Sequence, residues 1–177
     1  LAFTMHMLYH LSETGTCAIV EFPGVLYRGG AEKKIREYLI KNNFVDTVIQ
    51  LPANLFFGVG IATCIIVIKK NKKDNNILFV DASEECEKKG DKNKLEDKNQ
   101  NRIVNAYQVR KEEQFFTKLV SNDEVLANGA NLSVSSYVEK EDKREVIDIV
   151  ALNEEIEALS KDVASKSLKL NEIIKEL

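Results

Sequence analysis

The run from Asp46 to Lys70, DTVIQLPANLFFGVGIATCIIVIKK, decides the fold. Inside it stand two short apolar segments rich in β-branched residues, Thr47 to Leu51 and Ile61 to Ile68, a composition that suits buried strands better than helix. The connector between them, Pro52 to Gly60, is nine residues carrying one Pro and two Gly. A parallel crossover needs a dozen or more residues and usually a helix, so these two strands are expected to pair antiparallel.

Upstream, Ala18 to Phe22 is separated from Thr47 by a helix-like segment, Ala31 to Asn42, which predicts a parallel βαβ unit. The expected architecture is therefore α/β: a parallel sheet with one reversed strand near its end. Sheets of this kind hold ligands beyond the ends of their strands. The connector, which presents Asn54, Leu55, Phe56 and Phe57 there, is the first place to look for function.

Apolar residues make up 44% of the 177 and charged residues 30%, ordinary for a globular domain and long enough for a real core. A net charge of -3 argues against a free-standing nucleic-acid binder, which would usually be basic. Charge is unevenly spread: residues 1–70 hold seven Lys or Arg against five Asp or Glu, and residues 146–177 hold four against seven. Any DNA contact is expected in the first part. Cys17, Cys64 and Cys86 are isolated, two of them inside apolar strands, and read as reduced thiols of a cytoplasmic protein. No run of 18 apolar residues occurs, so no membrane span is expected. Leu1 enters a helical pattern at once, with Phe3, Met7, Leu8 and Leu11 on one side, which reads as a piece cut from something longer.

Further along, Tyr27-Arg28-Gly29-Gly30 precedes the helix at Ala31, whose inward positions are Ile35, Leu39 and Ile40. Such a turn can cradle phosphate, but with no G-x-G-x-x-G a plain strand-to-helix turn is the simpler reading. A strand is expected over Asn76 to Asp81. From Glu84 to Arg102 six acidic and six basic residues surround one large apolar side chain, Leu95, and predict a solvated loop. Then follow a short helix over Ile103 to Val109 with Ile103, Val104 and Tyr107 inward, a helix from Ser121 to Asn128 capped by Ser121 and Glu124 and stopped by Gly129, and an extended piece around Tyr137. Leu152, Ile156, Leu159, Val163, Leu170, Ile173 and Leu177 alternate spacings of four and three, with Lys166 at the missing seam position. So narrow a stripe predicts an interhelical partner. The expected organisation is 1–83, half of a sheet domain; 84–102, a charged loop; 103–145, a small helical and extended region; and 146–177, a heptad helix.

His6 and His10 share a helix face, but without a Glu at position 7 or a third ligand they read as core or capping residues rather than metal ligands. No G-x-S-x-G, P-loop or Cys-x-x-Cys occurs, and no complete catalytic constellation is present.

Whole segments do match a known family. AIVEFPGVLYRGGAEKKIREYLI (18–40) and VIQLPANLFFGVGIATCIIVIKK (48–70) resemble the second half of the methyltransferase domain in modification subunits of type I restriction-modification systems. Weaker matches continue through FVDAS (79–83), NKL (93–95), and the Asn-Leu and Tyr-Val at 131 and 137; Ala130 and Ser135-Ser136 depart from the pattern. The resemblance implies a partial Rossmann-like methyltransferase sheet followed by a mostly helical C-terminal region. It implies transfer of a methyl group from S-adenosylmethionine to adenine N6 in DNA by the whole enzyme. The family's cofactor loop and its Asn-Pro-Pro-aromatic catalytic motif would precede Leu1, so this chain alone is expected to be inactive, with no catalytic or cofactor-binding residue. What it would hold is one wall of the target pocket: Phe56 stacking on extruded adenine, with Phe57 and Asn54 beside it. The implied partners are DNA and the specificity and restriction subunits of a type I system, with the heptad seam as the contact to the specificity subunit. The competing reading is a non-catalytic scaffold that binds a specificity subunit through its last helix.

Overall fold

The computed structural model describes residues 1–141 and 148–176 and falls into two compact units, Leu1–Glu141 and Asp142–Leu177. The first unit is built on a five-stranded mixed sheet. Its elements are α1 (Ala2–His10), β1 (Thr16–Glu21), a short 3-10 turn (Pro23–Leu26), α2 (Ala31–Lys41), β2 (Val45–Gln50), β3 (Cys64–Lys69) and β4 (Asn76–Asp81). A small hairpin, β5 (Glu87–Lys89) and β6 (Lys92–Lys94), then leads to α3 (Asp97–Val109), β7 (Thr117–Ser121) and α4 (Asn122–Ala127).

Strand order is β1-β3-β2-β4-β7. As expected, β2 and β3 pair antiparallel, from Gln50 opposite Cys64 to Val45 opposite Ile68, with a register shift between Val45 and Thr47. β1 also pairs antiparallel with β3, Glu21 opposite Cys64 and Thr16 opposite Lys69. β1 and β2 therefore run the same way, but they are not neighbours; the expected βαβ unit is opened by a third strand inserted between its two. A helix of eleven residues is long enough to carry the chain across two strand spacings, about 10 Å. β4 joins β2 in parallel and β7 joins β4 antiparallel, so a second reversed strand closes the far edge. Sequence reading assigned no strand to Thr117–Ser121, because only Leu119 and Val120 are large and apolar there.

Both faces of the central strands are covered, which is why β2, β3 and β4 read as apolar runs without alternation. Val48, Ile66, Ile68, Ile77 and Phe79 face Leu8 of α1, Leu39 and Ile40 of α2 and Val125 of α4. Ile49, Leu78 and Val80 face Ile103 of α3 together with Phe116. Arg36, between the expected inward positions of α2, is 1% exposed. Its Nε donates to Ala130 O at 2.7 Å and its Nη1 to Val25 O at 2.9 Å, tying the helix to two loops. Ala130 sits in the left-handed region at φ 55° with its side chain fully buried, so this departure from the family pattern lies in the packed core.

Several expected details change. Phe3 and Val104 are exposed rather than inward. His6 and His10 are exposed, not core, and meet edge to face at 4.6 Å. Residues 84–102, expected as a loop, hold the β5–β6 hairpin and the start of α3. Asn131–Tyr137 forms a 3-10 turn at Val134–Ser136, with Tyr137 stacked on Phe79 at 4.3 Å. The cap of α4 is as predicted: Ser121 Oγ accepts from Glu124 N at 3.2 Å, and Gly129 takes φ 66° just past the helix.

Among the described residues, the second unit contains one helix, α5 (Ile149–Glu176). Leu152, Ile156, Leu159 and Val163 are exposed along it. The side chains of Leu170 and Ile173, and Leu177 entirely, lie outside the described residues, as does the expected boundary at 145–146. Among the described residues no helix is long and apolar enough to cross a membrane.

Candidate functional site

Register lines up one end of the sheet. Glu21 of β1, Cys64 of β3, Gln50 of β2 and Asp81 of β4 form a single row. Segments leaving that row carry exposed aromatic side chains: Phe22 directly after β1, Tyr27 before α2, and Phe56 and Phe57 in the β2–β3 connector. Water-facing phenyl rings gathered at one end of a sheet mark a contact surface better than scattered ones would.

The connector begins and ends with hydrogen bonds. Leu51 N donates to Thr63 O at 2.8 Å, and Gln50 Nε2 donates to the same carbonyl at 3.0 Å. Chain therefore leaves the sheet at Leu51 and returns at Thr63, and β3 begins at Cys64, three residues beyond the expected start of the second strand; Ile61, expected as its first residue, is half exposed. Asn54 is exposed and left-handed at φ 53°, a conformation Asn tolerates, and its side-chain oxygen approaches Gly60. Leu55 turns inward and packs against the apolar cluster that holds Leu78, Val80 and Ile103. The next two rings turn outward. Phe56 is 40% exposed and Phe57 99%, and a turn from Val59 N to Phe56 O at 3.2 Å follows. A plug for the end of the sheet would be buried, which Phe57 is not.

From Leu51 to Thr63 no side chain is ionisable. This loop cannot transfer protons or bind a charge through its side chains; it offers ring faces, one amide and backbone groups. Nor does Cys64 at its end supply a nucleophile. Burial, then the neighbouring Glu21, pushes its thiol up to about 12. Thr63 Oγ1 is buried there without a hydrogen-bond partner among the described residues.

Sequence reading missed the residue that holds the loop. Asn93 of β6 donates from Nδ2 to Ala53 O at 2.8 Å and from its backbone N to Asn54 O at 3.1 Å. The signal lay in Asn93-Lys94-Leu95, where one polar side chain that is not charged precedes the only large apolar residue of a charged tract. Tyr27, Arg28, Gly29 and Gly30 are all exposed, and α2 begins after Gly30 with no side-chain cap.

A mixed sheet of this kind occurs in a solved methyltransferase subunit of a type I restriction-modification system from Streptococcus thermophilus, to which the chain is 42% identical with a TM-score of 0.76, over 78% of this chain and 30% of that one. Residues 1–146 match the model of the family described as N-6 DNA Methylase, and the chain belongs to that family. It is 43% identical over 178 residues to the type I restriction enzyme MpnII methylase subunit of Mycoplasma pneumoniae, covering all of this chain and 33% of the relative. To the MjaVII methylase subunit of Methanocaldococcus jannaschii it is 33% identical over 166 residues, 90% of this chain and 28% of the relative. The chain thus spans a third or less of these two relatives' length.

Proposed function

We propose that this chain is the part of a type I DNA methyltransferase subunit that holds the target base, in an enzyme that moves a methyl group from S-adenosylmethionine to adenine N6 in DNA. The observation that carries this reading is the exposure of Phe56 and Phe57 on a loop without charge at the end of the sheet, in a chain of the N-6 DNA methylase family.

An enzyme that modifies a base inside a duplex must first swing it out, at a cost of a few kcal/mol for lost stacking and pairing. A ring face that receives the extruded base offsets about 1 to 3 kcal/mol. Phe56 is the better support of the two, since it is half held by its surroundings and so loses less freedom when a base settles on it. Phe57 extends the apolar face, and the amide of Asn54 has both the donor and the acceptor that an adenine edge requires.

S-adenosylmethionine carries an ammonium and ribose hydroxyls, which call for carboxylate partners. The connector has no carboxylate and does not fit that group, so no step is routed through it; the cofactor seat and the amine-polarising residues belong to parts of the enzyme outside these residues. This chain by itself is therefore inactive, and its sheet is one portion of a Rossmann-like domain. The enzyme works in the cytoplasm on DNA with a specificity and a restriction subunit. The exposed seam of α5, Leu152, Ile156, Leu159 and Val163 and onward by spacing to Leu170, Ile173 and Leu177, suits a helix of the specificity subunit.

Phe56→Ala in the full-length enzyme tests the reading. On cognate DNA with 2-aminopurine at the target adenine, retention of the extruded base should weaken at least fivefold, by the lower bound of stacking, with cofactor affinity unchanged. An unaltered methylation rate would refute it.

A further inference from the structure

We propose that the β5–β6 hairpin is the positioning element of the base-holding connector, and that Asn93 is its positioning residue. This deepens the reading above and rests on it.

By itself the hairpin has little reason to hold a fixed place. Its strands are three residues each, the register running from Glu87 opposite Lys94 to Lys89 opposite Lys92, and a lone two-stranded hairpin is marginal in water. Its ion pairs, Lys89 with Glu96 at 2.7 Å and Lys98 with Glu87 at 2.5 Å, are made by exposed lysines and are of the kind that contributes little. Two anchors fix it instead. Toward α3, Glu96 and Asn99 form a reciprocal capping box, while Glu85 takes Arg102 at 2.7 Å. Leu95 inserts beside the same apolar cluster that receives Leu55. Toward the connector stands Asn93.

The connector depends on these contacts in turn. Ala53 O and Asn54 O, the carbonyls three and two residues before Phe56, both accept from Asn93, and among the described residues the only backbone bond inside the loop beyond Phe56 is that of Val59. The Asn93 side chain holds Ala53 O, so releasing that carbonyl frees the peptide that enters left-handed Asn54 and carries the Phe56 ring with it. A continuous set of contacts therefore runs from the first turn of α3 through β6 to the ring that supports the base. The charged tract, which looks like a solvated insertion, sets where that ring stands.

Asn93→Asp in the full-length enzyme, assembled with its own subunits, keeps the shape and removes the side-chain donor to Ala53 O; Asn93→Ala removes the shape as well, and both leave the backbone bond to Asn54 O in place. Cognate DNA with 2-aminopurine at the target adenine reads base retention, and methylation kinetics on the natural duplex read kcat and KM. Both variants are expected to lower base retention and kcat about fivefold, the usual weight of one hydrogen bond, with KM for DNA and affinity for the methyl donor within twofold of the parent. Retention and kcat unchanged in both variants would overturn the proposal, as would a parallel loss of donor affinity, which marks general loosening. Phe56→Ala run alongside separates the two levels. If it abolishes retention while the Asn93 variants do not, only the positioning role falls; if it too changes nothing, the base-holding reading falls as well.

Discussion

Replacing Arg36 with Met should cost this protein about 3 kcal/mol. The guanidinium is buried, and two of its N–H groups donate to the carbonyls of Ala130 and Val25 at 2.7 and 2.9 Å. Hydrogen bonds from a charged donor contribute about 1.5 to 3 kcal/mol each, so the pair amounts to about 3 to 6. Against this stands the cost of keeping a cation out of water. Burial pulls the Arg36 pKa below its ordinary value, while nearby Glu32 and Glu37 push it back. Removing the charge recovers part of that cost, which places the net effect toward the lower end. Met preserves most of the stem volume, so little cavity is left, and the loss reports chiefly on the two orphaned carbonyls. Arg36→Lys retains the charge but presents a single point donor and should lose roughly half as much. The assay is urea unfolding with an unchanged slope, or a melting temperature about 6 to 12 °C lower for a domain of this size. A Met variant melting within a degree or two of the parent would show that the bonds only balance desolvation, and that Arg36 does not hold the two loops.

Two further outcomes can be measured. Lys72 Nζ donates to Val45 O and Asn76 O, and burial first, then repulsion from Arg110 and Lys69, brings its pKa from the ordinary 10.5 down to about 8 against the pull of Asp46 and Asp74. The unfolded chain therefore binds more protons between pH 8 and 10.5, so stability relative to a Lys72→Met variant should rise across that window, by about 1 kcal/mol after solvent screening; a flat or falling difference in pH-dependent unfolding contradicts this. Placing Asp at both Leu159 and Val163 should abolish co-elution of the full-length protein with its specificity subunit in size-exclusion chromatography, and a complex that survives would rule out the α5 seam as the contact.

The antiparallel β2–β3 pairing was legible because it follows from connector length and turn residues, which are local. What lay between β1 and β2 was not, since parallel direction says nothing about adjacency, and the strand that fills the gap comes later in the chain. β7 escaped for a different reason. An edge strand with a Thr and a Lys among its five residues has too little apolar patterning to stand out, and its pairing with β4 supplies what its sequence lacks. Arg36 was hidden by its type: charged residues on a helix usually face water, and only the fold shows two carbonyls waiting for it. The aromatic loop could be found from Leu55-Phe56-Phe57 after Pro52. Its brace went unread, because Asn93 two residues before Leu95 is a faint signal inside a charged tract of low apolar content, and nothing there names the carbonyls it binds.

The insertion of β3 between two strands already synthesised has a consequence for assembly. Once Gln50 has emerged from the ribosome, β1 and β2 both exist, yet β3, which fills the slot between them in the folded sheet, does not. Direct contact of the two would close the slot and have to be undone. The nascent sheet can therefore settle only after Lys69 has cleared the exit, when one incoming strand satisfies both edges in a single step.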